Sequence, residues 1–251
     1  MYNSPNFLQD NIRYIQPNFL RATFYLRIVK ASGEAIGNDA DVSLVDFYGQ
    51  AFINRIELRV NNRQVLDGGG FNYHTKVLLN TLLNYDKTAT TTHLRSSGFW
   101  ADRDDANALT AADSIGADYE KISTWKSLTE HKKRFSGSKW VEVSIDLQLD
   151  VMRSSREWPS EMNVELEIHR NSDDYLIMQG PDDNESYSVE MKDMQLFVRK
   201  VQPSLSLLKH NNSLMAGGKP AIFRFNNWCM DQFVMPAGQK SFNSKSKRKI
   251  I

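Results

Sequence analysis

The residues able to hold a metal, or to act as nucleophile and base, are few and scattered. Histidines fall at His74, His93, His131, His169 and His210, and the lone thiol is Cys229. No two histidines stand four apart, no H-x-H occurs, and no cysteine pair supplies the thiolates of a zinc site. A metal-holding β-sandwich needs histidine and glutamate grouped on neighbouring strands, and only His169 falls on a segment of clear strand character. Asp67-Gly68-Gly69-Gly70 is rich in glycine but lacks the Gly-Lys-Ser/Thr ending that cradles a phosphate, so it reads as a turn. The acidic pairs Asp104-Asp105, Asp173-Asp174 and Asp182-Asp183 lack the spacing of a calcium loop. With no G-x-S-x-G and no Cys/His arrangement, no catalytic residue, metal or cofactor follows, and the expectation is a protein that works by contact.

Residues suited to contact are easier to find. Phe99, Trp100 and Trp125 lie in a polar stretch from about 86 to 138, where large aromatics can anchor a neighbouring chain. Two runs are basic: HKKRF at 131–135, and the terminal KSFNSKSKRKII, whose Lys245, Lys247, Arg248 and Lys249 are candidates for phosphate contacts. The basicity is local, because 31 Lys and Arg against 30 Asp and Glu leave a net charge of +1 and no overall field. Trp228 beside Asn226 and Asn227 has the makings of a sugar-binding surface.

The elements that must position these residues are mainly strands, since apolar residues recur at spacing two. In RATFYLRIV, Ala22, Phe24, Leu26 and Ile28 share one face and Arg21, Thr23, Tyr25 and Arg27 the other. INRIELRV turns through Asn61-Asn62, residues tolerant of positive φ, into a returning Gln64-Val65-Leu66. WVEVSIDLQL places Val141, Val143, Ile145, Leu147 and Leu149 on one face. MNVELEIHR does the same with Met162, Val164, Leu166 and Ile168, and YSVEM, MQLFVRKV, AIFRF and MDQFVM read as further strands. The exception is FNYHTKVLLNTLLNY, where Val77, Leu78, Leu82 and Leu83 stand at helical spacing. Antiparallel strands with one inserted helix and a long excursion over 86–138 predict a sandwich or barrel. The single cysteine excludes an internal disulfide framework, the amino end lacks the pattern of a signal peptide, and no run has the length to span a bilayer.

Taken in order, three groups of segments resemble the major capsid proteins of adintoviruses and of the virus-like Maverick or Polinton elements. They are IRYIQPNFLRATFYLRIVKASGEAIGNDADVSLVDFYGQAFINRIELRVNNRQV, then FNYHTKVLLNTLLNYDKTATTTHLRSSGFWADRD, then MNVELEIHRNSDDYLIM through YSVEMKDMQLFVRKVQPSLSLLKH. The part ending Leu82 to Tyr85, followed by Leu94 to Trp100, is the most specific. The resemblance implies a double jelly roll whose subunits form homotrimeric, pseudo-hexagonal capsomers of an icosahedral shell. It implies residues 1–200 as a first jelly-roll sandwich, and 201–251 as a helix-like bridge, the start of a second jelly roll and a basic tail. The family pattern is longer at both ends, so the expectation is a truncated copy with exposed strand edges after His210, or a partner covering them. Implied partners are other copies of the chain, other capsid proteins and packaged DNA, in a virion made in the host cytoplasm or nucleus. A different reading of the same sandwich is a binding module that recognises a glycan or a protein at a cell surface.

Overall fold

A computed structural model describes residues 2–3, 14–66, 73–100, 126–154, 156–159, 162–180 and 183–224. They form more strand than helix, and every strand pairing is antiparallel. In chain order the strands are β1 (Tyr2–Asn3), β2 (Tyr14–Lys30), β3 (Val42–Leu44), β4 (Ile53–Val60), β5 (Arg63–Leu66), β6 (Val141–Asp146), β7 (Val164–Arg170), β8 (Ile177–Gln179) and β9 (Tyr187–Val201). The helices are α1 (Tyr48–Ala51), α2 (Tyr73–Asn84), α3 (Lys87–Thr91), α4 (Lys126–Phe135), α5 (Asp173–Leu176) and α6 (Leu205–Ala216), with short 3-10 turns at His93–Ser97, Ser136–Ser138 and Asp150–Arg153.

The pairing is nested. β2 pairs with β9, β3 with β8 inside that pair, and β4 with β7 inside that again. The sheets are ordered β6-β2-β9, β3-β8 and β1-β7-β4-β5. Alternation explains which faces meet: Ala22, Phe24, Leu26 and Ile28 of β2 are fully buried, as are Val143 and Ile145 of β6, while Val164, Leu166 and Ile168 of β7 line the same core. Phe24 and Phe52 pack with ring centroids 5.3 Å apart, inside the range for favourable aromatic pairs.

The irregularities fall where the sequence requires them. Pro17 lacks an N–H, and it sits between the register pairs Gln16↔Arg199 and Leu20↔Val198, where β2 carries extra residues that β9 does not match. Opposite Thr23–Tyr25 the extra residue is on β9, between Lys192 and Gln195, where Asp193 takes φ 54. YSVEM and MQLFVRKV, which read as two strands, are therefore one strand with a bulge. Asn61 and Asn62 take φ 48 and 63, the two left-handed residues of a tight hairpin turn, as their type predicts.

The helix expected at 71–85 forms over Tyr73–Asn84, but with a different inward face. Tyr73, His74, Val77 and Thr81 are buried, whereas Leu78, Leu82 and Leu83 point out. The stretch from 86 to 138 is also less irregular than its composition suggests, since α3, the turn at 93–97 and α4 lie within it. AIFRF does not form a strand in its described part, as residues 219–224 have no regular structure.

A buried polar chain fastens α1 and α2 to the end of β6. The Gln148 N–H donates to Tyr73 Oη at 3.1 Å, Tyr73 Oη donates to Gln50 Oε1 at 3.0 Å, and Gln50 Nε2 donates to the Asp146 carbonyl at 3.0 Å. Burial holds the Tyr73 phenol well above its ordinary pKa, so it stays a donor. Tyr73→Phe strands both of the hydroxyl's partners and is expected to lower stability by about 1–3 kcal/mol in urea denaturation, with unchanged stability counting against the network. His74 is the other titrating group on this face, and burial lowers its pKa. A histidine depressed in the folded state contributes nothing above its unfolded pKa of about 6.5 and destabilises as pH falls through it. Thermal unfolding of His74→Gln is thus expected to lose less stability between pH 7 and pH 5 than the parent chain.

Candidate assembly surfaces and a carboxylate–histidine cluster

Phe99 and Trp100, adjacent in sequence, go to different environments. Phe99 is buried in the core of its own chain, edge-on to Phe47 at 5.1 Å, so local packing and not a neighbouring subunit accounts for it. Trp100 is half-buried. Its backbone N–H donates to Asp46 Oδ1 at 2.9 Å, and its indole lies beside the guanidinium groups of Arg95 at 4.3 Å and Arg134 at 5.6 Å. Its partial exposure leaves it a candidate contact. Trp125, Trp228 and the run Lys245, Lys247, Arg248 and Lys249 lie outside the described residues.

The basic run at 131–135 is part of α4, and each of its three cations has a partner within the chain. Lys132 pairs with Asp41, Lys133 with Glu130, and Arg134 donates to Tyr48 Oη at 3.3 Å. His131 and Phe135, one helical turn apart, are fully buried and meet Tyr48 edge-on at 5.0 and 5.3 Å. This segment is a helix docked on Tyr48 through His131 and Phe135.

Gly98 permits that docking. It takes φ 81 at the end of the 93–97 turn, its carbonyl accepts from the Phe47 N–H, and any Cβ there would run into the Tyr48 ring. Gly98→Ala is expected to cost more than about 1–3 kcal/mol, combining backbone strain with displacement of Tyr48. A thermal shift of under a degree would contradict this placement.

Two apolar surfaces remain uncovered among the described residues. On α2, Leu78, Leu79, Leu82 and Leu83 are exposed together, Leu83 at 81%. Near the end of β9, Phe197 and Phe19 are exposed, and the following α6 buries none of its residues. Ser204 caps α6 by accepting from the Leu207 N–H, so the helix is well started even though it is barely packed. Between α6 and the 156–159 segment runs a groove of about 510 Å³, lined by Tyr14, Arg156, Leu207, Leu214, Ile222 and Phe223. Scattered exposed leucines are ordinary, but contiguous ones mark contact surfaces.

A third feature is polar. On the outer face of the β4/β7 pair, Glu57 stands opposite Glu167, and Arg55 opposite His169. His169 Nε2 lies 3.3 Å from Glu167 Oε1 and 3.7 Å from Glu57 Oε1. Arg55 reaches Glu57 Oε1 through Nε at 3.1 Å and His169 Nε2 through Nη2 at 3.2 Å. Glu57, Glu167 and His169 are the group, among the described residues, whose ligand atoms stand close enough to share one metal ion. Sequence reasoning gave His169 a strand but no partners, because nothing local tells that β4 and β7 are neighbours.

No family model matches the chain, and no curated protein matches it as a relative. Among the described residues no helix is long and apolar enough to cross a membrane.

Proposed function

We propose that the chain is a structural subunit of a virus-type capsid, a jelly-roll protein of the adintovirus and Maverick–Polinton kind that acts by self-association into capsomers. The observation that carries this reading is the nested pairing. A jelly roll is a long antiparallel hairpin rolled up on itself, so that of eight strands the first pairs with the last, the second with the seventh and the third with the sixth. From β2 to β9 the described residues form eight strands, and these three concentric pairs are among their pairings. The fourth pair, β5 with β6, is replaced by β6 alongside β2. The pairing favours a rolled hairpin over an up-and-down barrel, in which sequence neighbours would pair throughout.

The uncovered apolar surfaces fit a subunit better than a solitary protein. A leucine group on α2 and an α6 without buried residues are poorly satisfied in water, and burial against other copies removes them from it. The double jelly roll, the trimeric capsomer and contact of the terminal basic run with DNA are the further parts of this proposal, drawn from the sequence resemblance.

Mass photometry over a concentration series, with negative-stain microscopy of the largest species, tests the reading. The expected result is discrete oligomers that shrink in the Leu79→Lys, Leu83→Lys variant, whose circular dichroism stays unchanged because both side chains face solvent. A monomer at every concentration overturns it.

A further inference from the structure

We infer that Glu57, Glu167 and His169 form a site for a borderline divalent cation, with zinc as the best fit, and that Arg55 occupies this site in the metal-free chain. The site sits on the outer face of the sheet and stands whether or not the chain assembles.

The backbone register does most of the positioning. Glu57 and Glu167 are direct cross-strand neighbours, and Glu167 and His169 are two apart on one strand, hence on the same face. The three donor atoms lie within 4.8 Å of one another. With zinc–nitrogen and zinc–oxygen bonds of about 2.0–2.2 Å, tetrahedral donors stand roughly 3.3–3.6 Å apart. The His169 Nε2 distances of 3.3 and 3.7 Å need little adjustment to meet that. One imidazole with two carboxylates suits zinc or a neighbouring transition ion, and is a poor set for magnesium, which prefers oxygen ligands and retains water.

Charge points the same way. Two glutamates placed directly across a sheet repel, and a cation between or beside them relieves that repulsion. Arg55 supplies it from 3.1 Å. Arg55 Nη2 lies 3.2 Å from His169 Nε2 and 3.5 Å from Nδ1, so the guanidinium rests over the imidazole and does not lie in line with either ring nitrogen. A metal would take the lone pair of a neutral Nε2. With neutral His169 the four side chains sum to one negative charge, and a divalent ion that displaces the Arg55 head group toward solvent completes a three-ligand site with room for water. The ion would then staple β4 to β7 across the sheet.

This arrangement makes an unusual prediction, since removing a positive residue should strengthen cation binding. Calorimetric titration of zinc chloride into the full chain, stripped with a chelator, is compared with Arg55→Gln, His169→Gln, Glu167→Gln and Glu57→Gln, each checked by circular dichroism. The expected result is one zinc per chain at this site and a raised melting temperature. Each ligand substitution should weaken binding by more than roughly tenfold, because loss of even an outer-shell partner costs that much. Arg55→Gln should bind severalfold tighter, and magnesium should not compete. The three ligand variants are independent, so failure of one to fold leaves the other two to decide. Absent zinc binding, binding unchanged in the folded ligand variants, or weaker binding in Arg55→Gln overturns the inference.

Discussion

Arg27 and Glu190 are direct cross-strand neighbours joined by an ion pair of 2.7 Å, yet they are 163 residues apart in the chain. Within the chain the β2–β9 ladder encloses the β3–β8, β4–β7 and β4–β5 pairings, while β6 pairs with β2 itself and β1, which precedes β2, pairs with β7. Closing so long a loop is entropically unfavourable, although the cost grows only slowly with length. What offsets it is the inner face of β2, whose Ala22, Phe24, Leu26 and Ile28 are removed from water against Val189 and the β6 residues. The surface ion pairs Arg27–Glu190 and Arg21–Asp146 fix register more than they stabilise, since exposed pairs contribute little. Because the ladder is long-range, folding should be slow compared with that of a helical protein of the same size.

Once β2 and β9 are joined, the rest of the layout follows from which faces remain. β3–β8 and β4–β7 nest inside, which sends β4's charged side outward and creates the Glu57, Glu167, His169 and Arg55 cluster. β9 has β2 on one side, and in the sheet order β6-β2-β9 it is an edge among the described residues. Its far end carries exposed Phe197 and passes through Pro203 into α6, which has few contacts of its own. The chain therefore concentrates its unsatisfied apolar surface at α6 with the end of β9, and on the leucines of α2. A subunit that finishes its packing only in an assembly would be built in this way.

The strand faces were legible in the sequence because alternation is a local signal: the residues assigned inward on β2, β6 and β7 are buried, apart from Val141 at the start of β6, which is half-buried. Asn61-Asn62 was legible for the same reason, since a tight turn needs two residues that accept positive φ. Long-range facts were not legible. Nothing in MNVELEIHR tells that it lies beside INRIELRV, so His169 appeared without partners although both of its glutamates were in view. The α2 leucines misled because a helix with apolar residues on two sides does not say which side faces the core. The small inward face formed by Tyr73, His74 and Thr81 is polar enough to hide. HKKRF looked like a charged strip because its two buried residues, His131 and Phe135, stand among three cations whose partners Asp41 and Tyr48 come from distant segments.

The fold rests most directly on the register of β2 against β9. Replacing Arg27 and Glu190 together by cysteine, with Cys229→Ser to remove the native thiol, places two thiols opposite each other in a regular part of the ladder. Mild oxidation followed by peptide mapping and a melting curve is the measurement. The account predicts an intramolecular disulfide in nearly every chain and a higher melting temperature, whereas free thiols, or crosslinks only between chains, would contradict it.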